Sequence, residues 1–255
     1  MKENKNILSG ENIVKSYGNG AEKCNVLNGV SLSVKEGEFV AIMGPSGSGK
    51  STLMFAMSGM DEIDSGKVLF DGIDLAGFRE EELADIRRTK MGFVFQQPTL
   101  LKNLNILDNI MLPSMPGRRK KVKQLTEKAR MLMKKTGIGK LENRDTTQVS
   151  GGQLQRAGIC RALMCDPKII FGDEPTGALN SNAAQEIMDI FSKINREGTA
   201  VMLVTHDPKI AARTERVLFM QDGKIDSELR LPKFDGRDFE SRTEEVTGEM
   251  LRIGI

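Results

Sequence analysis

The chain holds a single histidine, His206, in 255 residues, so one copy cannot build a metal centre from clustered histidines. Its three cysteines, Cys24, Cys160 and Cys165, are an odd number without a C-x-x-C pair. That excludes a disulfide framework and a thiolate zinc site as organising elements, and a reducing cytosol is the expectation. No apolar run approaches the ~20 residues a bilayer-spanning helix needs, and the polar opening MKENKNILSG is not a signal peptide. Any service to a membrane is therefore expected from its cytoplasmic face, through a partner. Charge of one sign is also lacking. With 37 basic and 35 acidic residues the net charge is +2, which argues against a nucleic-acid binder. Apolar residues at 39% and charged residues at 28% are those of a folded globular chain, enough for one large domain or two small ones.

What is present falls into three stretches. The first reads as short strands bounded by glycine: ILSGENIVKSY, VLNGVSLSVKEGEFVAIMG, and KVLFDGIDL with its D-G turn. Between them STLMFAMSGM reads as a helix closed near Gly59. From about Phe78 to Leu163 helical character dominates, in EEELADIRRT, NILDNIMLP and QLTEKARMLMKKTGI. The linking segment PSMPGRRKKVK carries the basic run Arg118, Arg119, Lys120, Lys121 and Lys123, read as a solvated face. Strands then return as KIIFGDE and TAVMLVTHD, with the helix NAAQEIMDIFSKINREG between them and a hairpin around Asp222-Gly223 after them. Continuous apolar strands alternating with helices predict a largely parallel, covered sheet with a mostly helical block inserted in it. Residues 233–255 are charged and show no pattern.

Two motifs carry chemistry. Gly44-Pro45-Ser46-Gly47-Ser48-Gly49-Lys50-Ser51 fits G-x-x-x-x-G-K-[ST], between a buried strand and a helix. Such a loop turns backbone N–H groups toward phosphate oxygens, and the helix adds its positive dipole end. Lys50 is expected to reach the β and γ phosphates and the Ser51 hydroxyl to bind Mg²⁺. The strand IIFGD ends in Asp173, a carboxylate for the Mg²⁺ shell. Glu174 follows as the candidate general base for an attacking water.

A third element, VSGGQLQRAGICRAL at 149–163, looks redundant. Ser150-Gly151-Gly152-Gln153 fits a capping box. A good cap contributes ~1 kcal/mol, and each helical glycine costs roughly 0.5–1 kcal/mol against alanine, so the glycines cancel the cap. They make sense if this backbone must stay bare for an anion. One monomer cannot easily bring two such cradles to one triphosphate. Two copies placed head to tail can, closing the phosphate loop of one and the SGGQ element of the other on each ATP.

These residues resemble the ATP-binding subunit of an ATP-binding-cassette transporter, through ordered motifs over roughly residues 6–230. The resemblance implies an α/β fold: a phosphate-loop NTPase core with a mainly parallel sheet, an N-terminal antiparallel β subdomain, and a helical subdomain inserted at about 97–162. It implies one nucleotide-binding domain over 1–232 and a tail at 233–255. It implies that Tyr17, the only tyrosine, stacks on adenine, and that Gly44 to Thr52 cradle the phosphates. Gln96, with Gln97 as the alternative, would contact Mg²⁺ and sense the membrane partner. Ser150, Gly151, Gly152 and Gln153 would meet the γ-phosphate across a dimer. Asp173 and Glu174 would be the metal-linked acid and the catalytic base. His206 would be the switch on the γ-phosphate, the alternative being a cap on the next helix, and Gly177 to Asn180 would cross the interface. Three positions depart from the family pattern: Val149 for leucine, Leu154 for a polar residue, and Asn180 for aspartate.

FVFQQPTLLKNLNILDNIMLP and GDEPTGALNS resemble the subfamily of macrolide export, lipoprotein release and peptide-antibiotic (bacitracin or lantibiotic) resistance. Since the chain ends at Ile255, a separate transmembrane permease is expected, with the subunit peripheral on the inner face of the membrane. Chromosome and DNA-repair ATPases share the motifs but carry coiled coils or zinc inserts between the two glycine elements. Here residues 51–149 hold no heptads and no cysteines. Translation factors carry two cassettes per chain and this chain has one. A cytosolic ATPase without a permease is the remaining alternative.

Overall fold

The computed structural model describes residues 5–18, 20, 23–115 and 121–255. Its strands are β1 (Asn6–Tyr17), β2 (Cys24–Lys35), β3 (Phe39–Met43), β4 (Ser65–Phe70), β5 (Ile73–Asp74), β6 (Met91–Phe95), β7 (Ile169–Asp173), β8 (Ala200–Val204), β9 (Arg216–Gln221) and β10 (Lys224–Arg230). The helices are α1 (Lys50–Met57), α2 (Glu80–Lys90), α3 (Ile106–Met111), α4 (Val122–Lys135), α5 (Gly151–Leu163), α6 (Ser181–Arg196), α7 (Pro208–Ala211) and α8 (Phe239–Arg252).

The apolar runs FVAIM and AVMLV are buried along their whole length and IIFGD over its first four residues, as central parallel strands must be. They lie in a six-stranded sheet ordered β10-β9-β3-β8-β7-β6, parallel except for the β9–β10 hairpin. A second, antiparallel sheet runs β2-β1-β4-β5. The fold is therefore α/β, with a mainly parallel core sheet and an antiparallel sheet built largely from the N-terminal strands. Both D-G turns form with positive φ at each residue, Asp71-Gly72 (52° and 83°) and Asp222-Gly223 (47° and 72°), which suits the twist of a tight hairpin.

One core lies between the two sheets around α1, gathering Ile13, Leu27, Leu53, Met57 and Phe171. A second joins the other sheet face to α6 through Val201, Leu203, Ile187 and Phe191. Helices α3, α4 and α5 share a separate core around Ile110, Ala129, Met133, Ala157 and Cys160. Burial pushes the Cys160 thiol up to about 12, so it is an inert part of that core.

Two sequence readings need comment. Arg118, Arg119 and Lys120 of the basic run lie outside the described residues, while Lys121 and Lys123 are exposed. The patternless tail, in contrast, contains a fourteen-residue helix, α8, seated on the core. Its pattern is weak because only Arg242 and Val246 are buried along it, and one of these is an arginine.

Candidate active site

The site forms where the parallel strands end, the usual place for a ligand in an open α/β sheet. Buried β3 delivers the chain to the phosphate loop. At Gly44, φ is +153° and a Cβ would sit 2.1 Å from the Met220 carbonyl oxygen of β9, so no other residue fits. Pro45, Ser46 and Gly47 form an exposed crest, and Ser48, Gly49 and Lys50 turn back into the core. Gly49, left-handed at φ 96°, precedes α1 and supplies no side-chain cap. The first-turn N–H groups of α1 therefore have no intrahelical partner and the positive end of the helix is not neutralised. Lys50 Nζ donates to the carbonyls of Gly44 at 2.9 Å and Pro45 at 2.7 Å. Burial lowers the Lys50 pKa, and the nearby Glu174 and Asp173 carboxylates work against that.

Across the sheet, Ser51 Oγ donates to Asp173 Oδ1 at 2.9 Å. Burial raises the Asp173 carboxyl and this hydrogen bond opposes it. Glu174 stands in the left-handed region at φ 45°, a conformation costing a non-glycine residue about 1–3 kcal/mol. The backbone is held there by the Glu174 N–H donating to Val204 O at 3.0 Å. Glu174 Oε1 lies 3.0 Å from His206 Nδ1. Among the described residues the imidazole makes no other hydrogen bond, and 68% of the side chain is exposed. It does not cap α7, because the Asp207 carboxylate does, accepting from the Lys209 N–H at 2.8 Å. Gln96 follows β6 and is exposed. A Cβ on Gly177 would fall 3.0 Å from Gln96 Nε2 and 3.2 Å from Glu174 Oε2, so the two side chains converge beside that glycine. Lys50, Ser51, Gln96, Asp173, Glu174 and His206 thus come together from four strand ends.

Tyr17 closes β1 beside α1. Its hydroxyl donates to Asp61, which also accepts from Lys15 Nζ at 2.7 Å, and that ammonium stands 4.9 Å from the centre of the phenol ring. The ring is 45% exposed and carries a raised hydroxyl pKa, through desolvation first and Asp61 second.

The SGGQ element stands apart. It opens α5, which packs against β6, three strand steps from β3, or about 14 Å at the usual strand spacing. Its capping box is complete. The Gln153 N–H donates to Ser150 Oγ at 3.4 Å and the Ser150 N–H to Gln153 Oε1 at 2.9 Å. This occupies the first and fourth donors and leaves those of Gly151 and Gly152 without helical acceptors. A Cβ on Gly151 would meet its nearest atom at 3.9 Å and one on Gly152 at 3.5 Å, both ordinary contacts. The fold of the single chain does not require glycine at either position.

Comparison with known proteins matches residues 27–177 to a family described as ABC transporter. The chain belongs to the ABC transporter family. As a member it is an ATP-binding cassette that hydrolyses ATP. An uncharacterized ABC transporter ATP-binding protein of Bacillus subtilis, YknY, is 43% identical over 215 residues, 84% of this chain and 93% of its own. The bacitracin export ATP-binding protein BceA of Halalkalibacterium halodurans is 40% identical over 88% of each chain. The macrolide export ATP-binding/permease protein MacB of Pasteurella multocida is 40% identical over 87% of this chain, which spans only 34% of MacB. Among solved structures, the dimeric cassette MJ0796 superposes with a TM-score of 0.82 at 40% identity, over 89% of this chain and all of that one. Its post-hydrolysis form bound to ADP and Pi gives 0.79.

Two residues that organise this cassette escaped the sequence reading. Gln155 is buried, and its Nε2 donates to Phe95 O at 2.9 Å and Pro175 O at 2.7 Å. It ties the glycine-led helix to the segments carrying Gln96 and Glu174. Its signal was a polar residue in register with Ile159 and Ala162, on the buried stripe of α5. Asn109, fully buried, closes the loop after Gln96 by accepting from Leu101 N and donating to the carbonyls of Leu101, Leu104 and Asn105. In sequence it is one more polar residue on a short helix.

Proposed function

We propose that this cassette is the ATP-hydrolysing engine of a separate membrane permease. It works as a head-to-tail pair at the inner face of the membrane, in export of, or resistance to, antimicrobial peptides or related amphiphiles. The observation that carries the paired site is the bare start of α5. Its two free N–H groups and unneeded glycines lie too far along the sheet to serve the phosphate loop of their own chain. A second copy brings Ser150, Gly151, Gly152 and Gln153 to the γ-phosphate of an ATP cradled by Gly44 to Thr52, with adenine on Tyr17. MJ0796, similar over its whole length, is a dimeric cassette. BceA, 40% identical along 88% of its length, is named as a bacitracin export ATP-binding protein, and the stretch GDEPTGALNS favours the same peptide-antibiotic class.

The Ser51 hydroxyl and Asp173 carboxylate, in contact at 2.9 Å, are hard oxygen donors of the kind Mg²⁺ takes, and Gln96 adds an amide oxygen from the adjoining strand end. Bound there, Mg²⁺ would neutralise charge on the β and γ phosphates. Lys50 supplies a positive charge to the same phosphates. Glu174 accepts the proton of the attacking water, and His206, held on Glu174, senses the γ-phosphate. In this scheme the nucleotide-binding domain spans 1–232 with its helical insert at about 97–162. ATP drives closure only through tighter binding to the closed pair.

Glu174→Gln keeps binding and removes the base. With saturating Mg-ATP it is expected to elute as a dimer by size exclusion with light scattering, and a monomer would overturn the paired site. Loss of the chain from its host is expected to raise sensitivity to bacitracin-type peptides. Unchanged sensitivity to them would overturn the cargo class and leave the engine standing.

A further inference from the structure

Helix α8 grips the segment after α7 through one buried side chain. Arg242 is 5% exposed and, among the described residues, is bonded to no carboxylate. Instead Nε donates to Ala212 O at 2.6 Å, Nη2 to Thr214 O at 2.8 Å and Nη1 to Pro232 O at 2.8 Å. Ala212 is the C-cap of α7 and Thr214 follows two residues later, so the two gripped carbonyls lie just past the helix, whose own Pro208, Ile210 and Ala211 carbonyls already accept from the Ala212, Arg213 and Thr214 N–H groups. Arg242 supplies two donors to that segment and a third to the strand exit at Pro232.

The residue between the two gripped carbonyls is held from its other side. Arg213 pairs with Asp189 of α6 at 2.6 Å, and its guanidinium lies 5.5 Å from the Phe234 ring and 5.8 Å from the Phe239 ring. The Arg242 guanidinium lies 5.4 Å from the same Phe234 ring. Residues 212–214 are thus clamped between α6 and α8. At the other end of α7, a single helical turn away, Asp207 forms the N-cap and His206 precedes it. Seating α8 does not by itself need a buried guanidinium, because Val246, Phe239 and Met250 already pack into the apolar core beside Ala211, Ala212 and Val217. A buried cation placed on the carbonyls that directly follow α7 does what an apolar anchor cannot. It fixes the axial position and rotation of that turn.

We propose that Arg242 is a positioning residue for His206. Through it, the C-terminal helix sets α7 and so the seat of the imidazole against Glu174. The effect on turnover rests on the reading of His206 as the γ-phosphate switch, while the mechanical coupling does not.

His206 is the only histidine, so in tag-free protein one imidazole cross-peak in a proton–nitrogen or proton–carbon NMR spectrum reports its seat directly. Arg242→Gln is expected to shift or broaden that peak. It is expected to lower kcat by at least about ten-fold, the cost of a small misplacement, with KM for ATP changed by less than about two-fold. Val246→Ala, on the same buried face, is the control for loosening alone. At equal loss of melting temperature it is expected to leave the peak and kcat closer to those of the unaltered chain. An unmoved imidazole peak in a folded Arg242→Gln variant overturns the proposal, and so do equal effects of the two variants. If Arg242→Gln does not fold, Arg242→Lys carries the test. It keeps the charge but not the three-way fork, and it must shift the peak and lower kcat, since an unaltered peak overturns the proposal. His206→Ala with normal turnover would sink the switch reading alone, and the imidazole shift would still decide the coupling.

Discussion

Gly152→Ala is expected to make the free chain more stable and the enzyme worse. The added Cβ meets Ala183 Cβ at 3.5 Å, an ordinary contact, and the position is helical with no positive φ. Alanine is preferred to glycine inside a helix by roughly 0.5–1 kcal/mol, and the lower figure suits a first-turn position. For a chain of this size 1 kcal/mol moves the melting temperature by about 2–4 °C. The nucleotide-free variant is therefore expected to melt about 1–4 °C higher by scanning calorimetry. In the proposed paired site the same methyl would stand where the γ-phosphate approaches the Gly151 and Gly152 N–H groups. Blocking access to donors of this kind is expected to lower turnover by on the order of 10²-fold. Phosphate release under saturating Mg-ATP measures that loss. Gly152→Ala added to Glu174→Gln is expected to abolish the ATP-dependent dimer while nucleotide binding survives. Normal hydrolysis by a variant that melts higher would refute the reasoning, because this backbone would then have no partner. A lower melting temperature would refute it differently, by showing that the single chain itself needs the glycine.

Two further substitutions test local claims. Asn180 Oδ1 accepts from the Ala183 N–H at 2.9 Å as the N-cap of α6, so Asn180→Ala is expected to cost about 1 kcal/mol. Asn180→Asp, an equal cap, is expected to leave urea unfolding unaltered, and equal midpoints for both variants would dismiss the cap. Asp71 accepts from Lys168 and Lys5, which hold its carboxyl below the ordinary 3.8. A depressed carboxylate stabilises the fold above its unfolded pKa and loses that contribution as pH falls through the folded value. Asp71→Asn is expected to cost up to about 1 kcal/mol near neutrality, with a difference from the unaltered chain that closes below pH 3.8. A difference that persists in acid would mean the charge is not its source.

Most of the core and the strand-end site could be read from the sequence because each rests on a local rule. Buried parallel strands are continuously apolar, glycine marks Gly44 where a Cβ would fall 2.1 Å from the Met220 carbonyl oxygen, and D-G marks both hairpins. What escaped depends on contacts between distant segments. Gln155 looks like any helical glutamine until α5 lies across the ends of β6 and β7. Arg242 reads as surface charge until the turn after α7 presents the Ala212 and Thr214 carbonyls to it. A polar side chain buried to satisfy remote backbone leaves no periodic trace. It only interrupts one, which is why the tail seemed patternless.

The three departures from the family pattern are explained on the same terms. Val149 precedes the cap residue Ser150, and Leu154 is the fourth helical residue after it, the two positions of a hydrophobic staple. Both are half-buried on the core of α3, α4 and α5. A polar residue at 154 would lose that contact, and valine in place of leucine keeps it with less volume. Asn180 caps α6 as well as aspartate would. None of the three alters the Gly151 and Gly152 N–H groups that the anion would meet. Each departure is accommodated by contacts within the chain, Val149 and Leu154 on the helical core and Asn180 as the cap of α6. A cassette can vary in this way because helix starts are stabilised by contacts within the chain, whereas a site shared by two chains constrains only the atoms that cross between them.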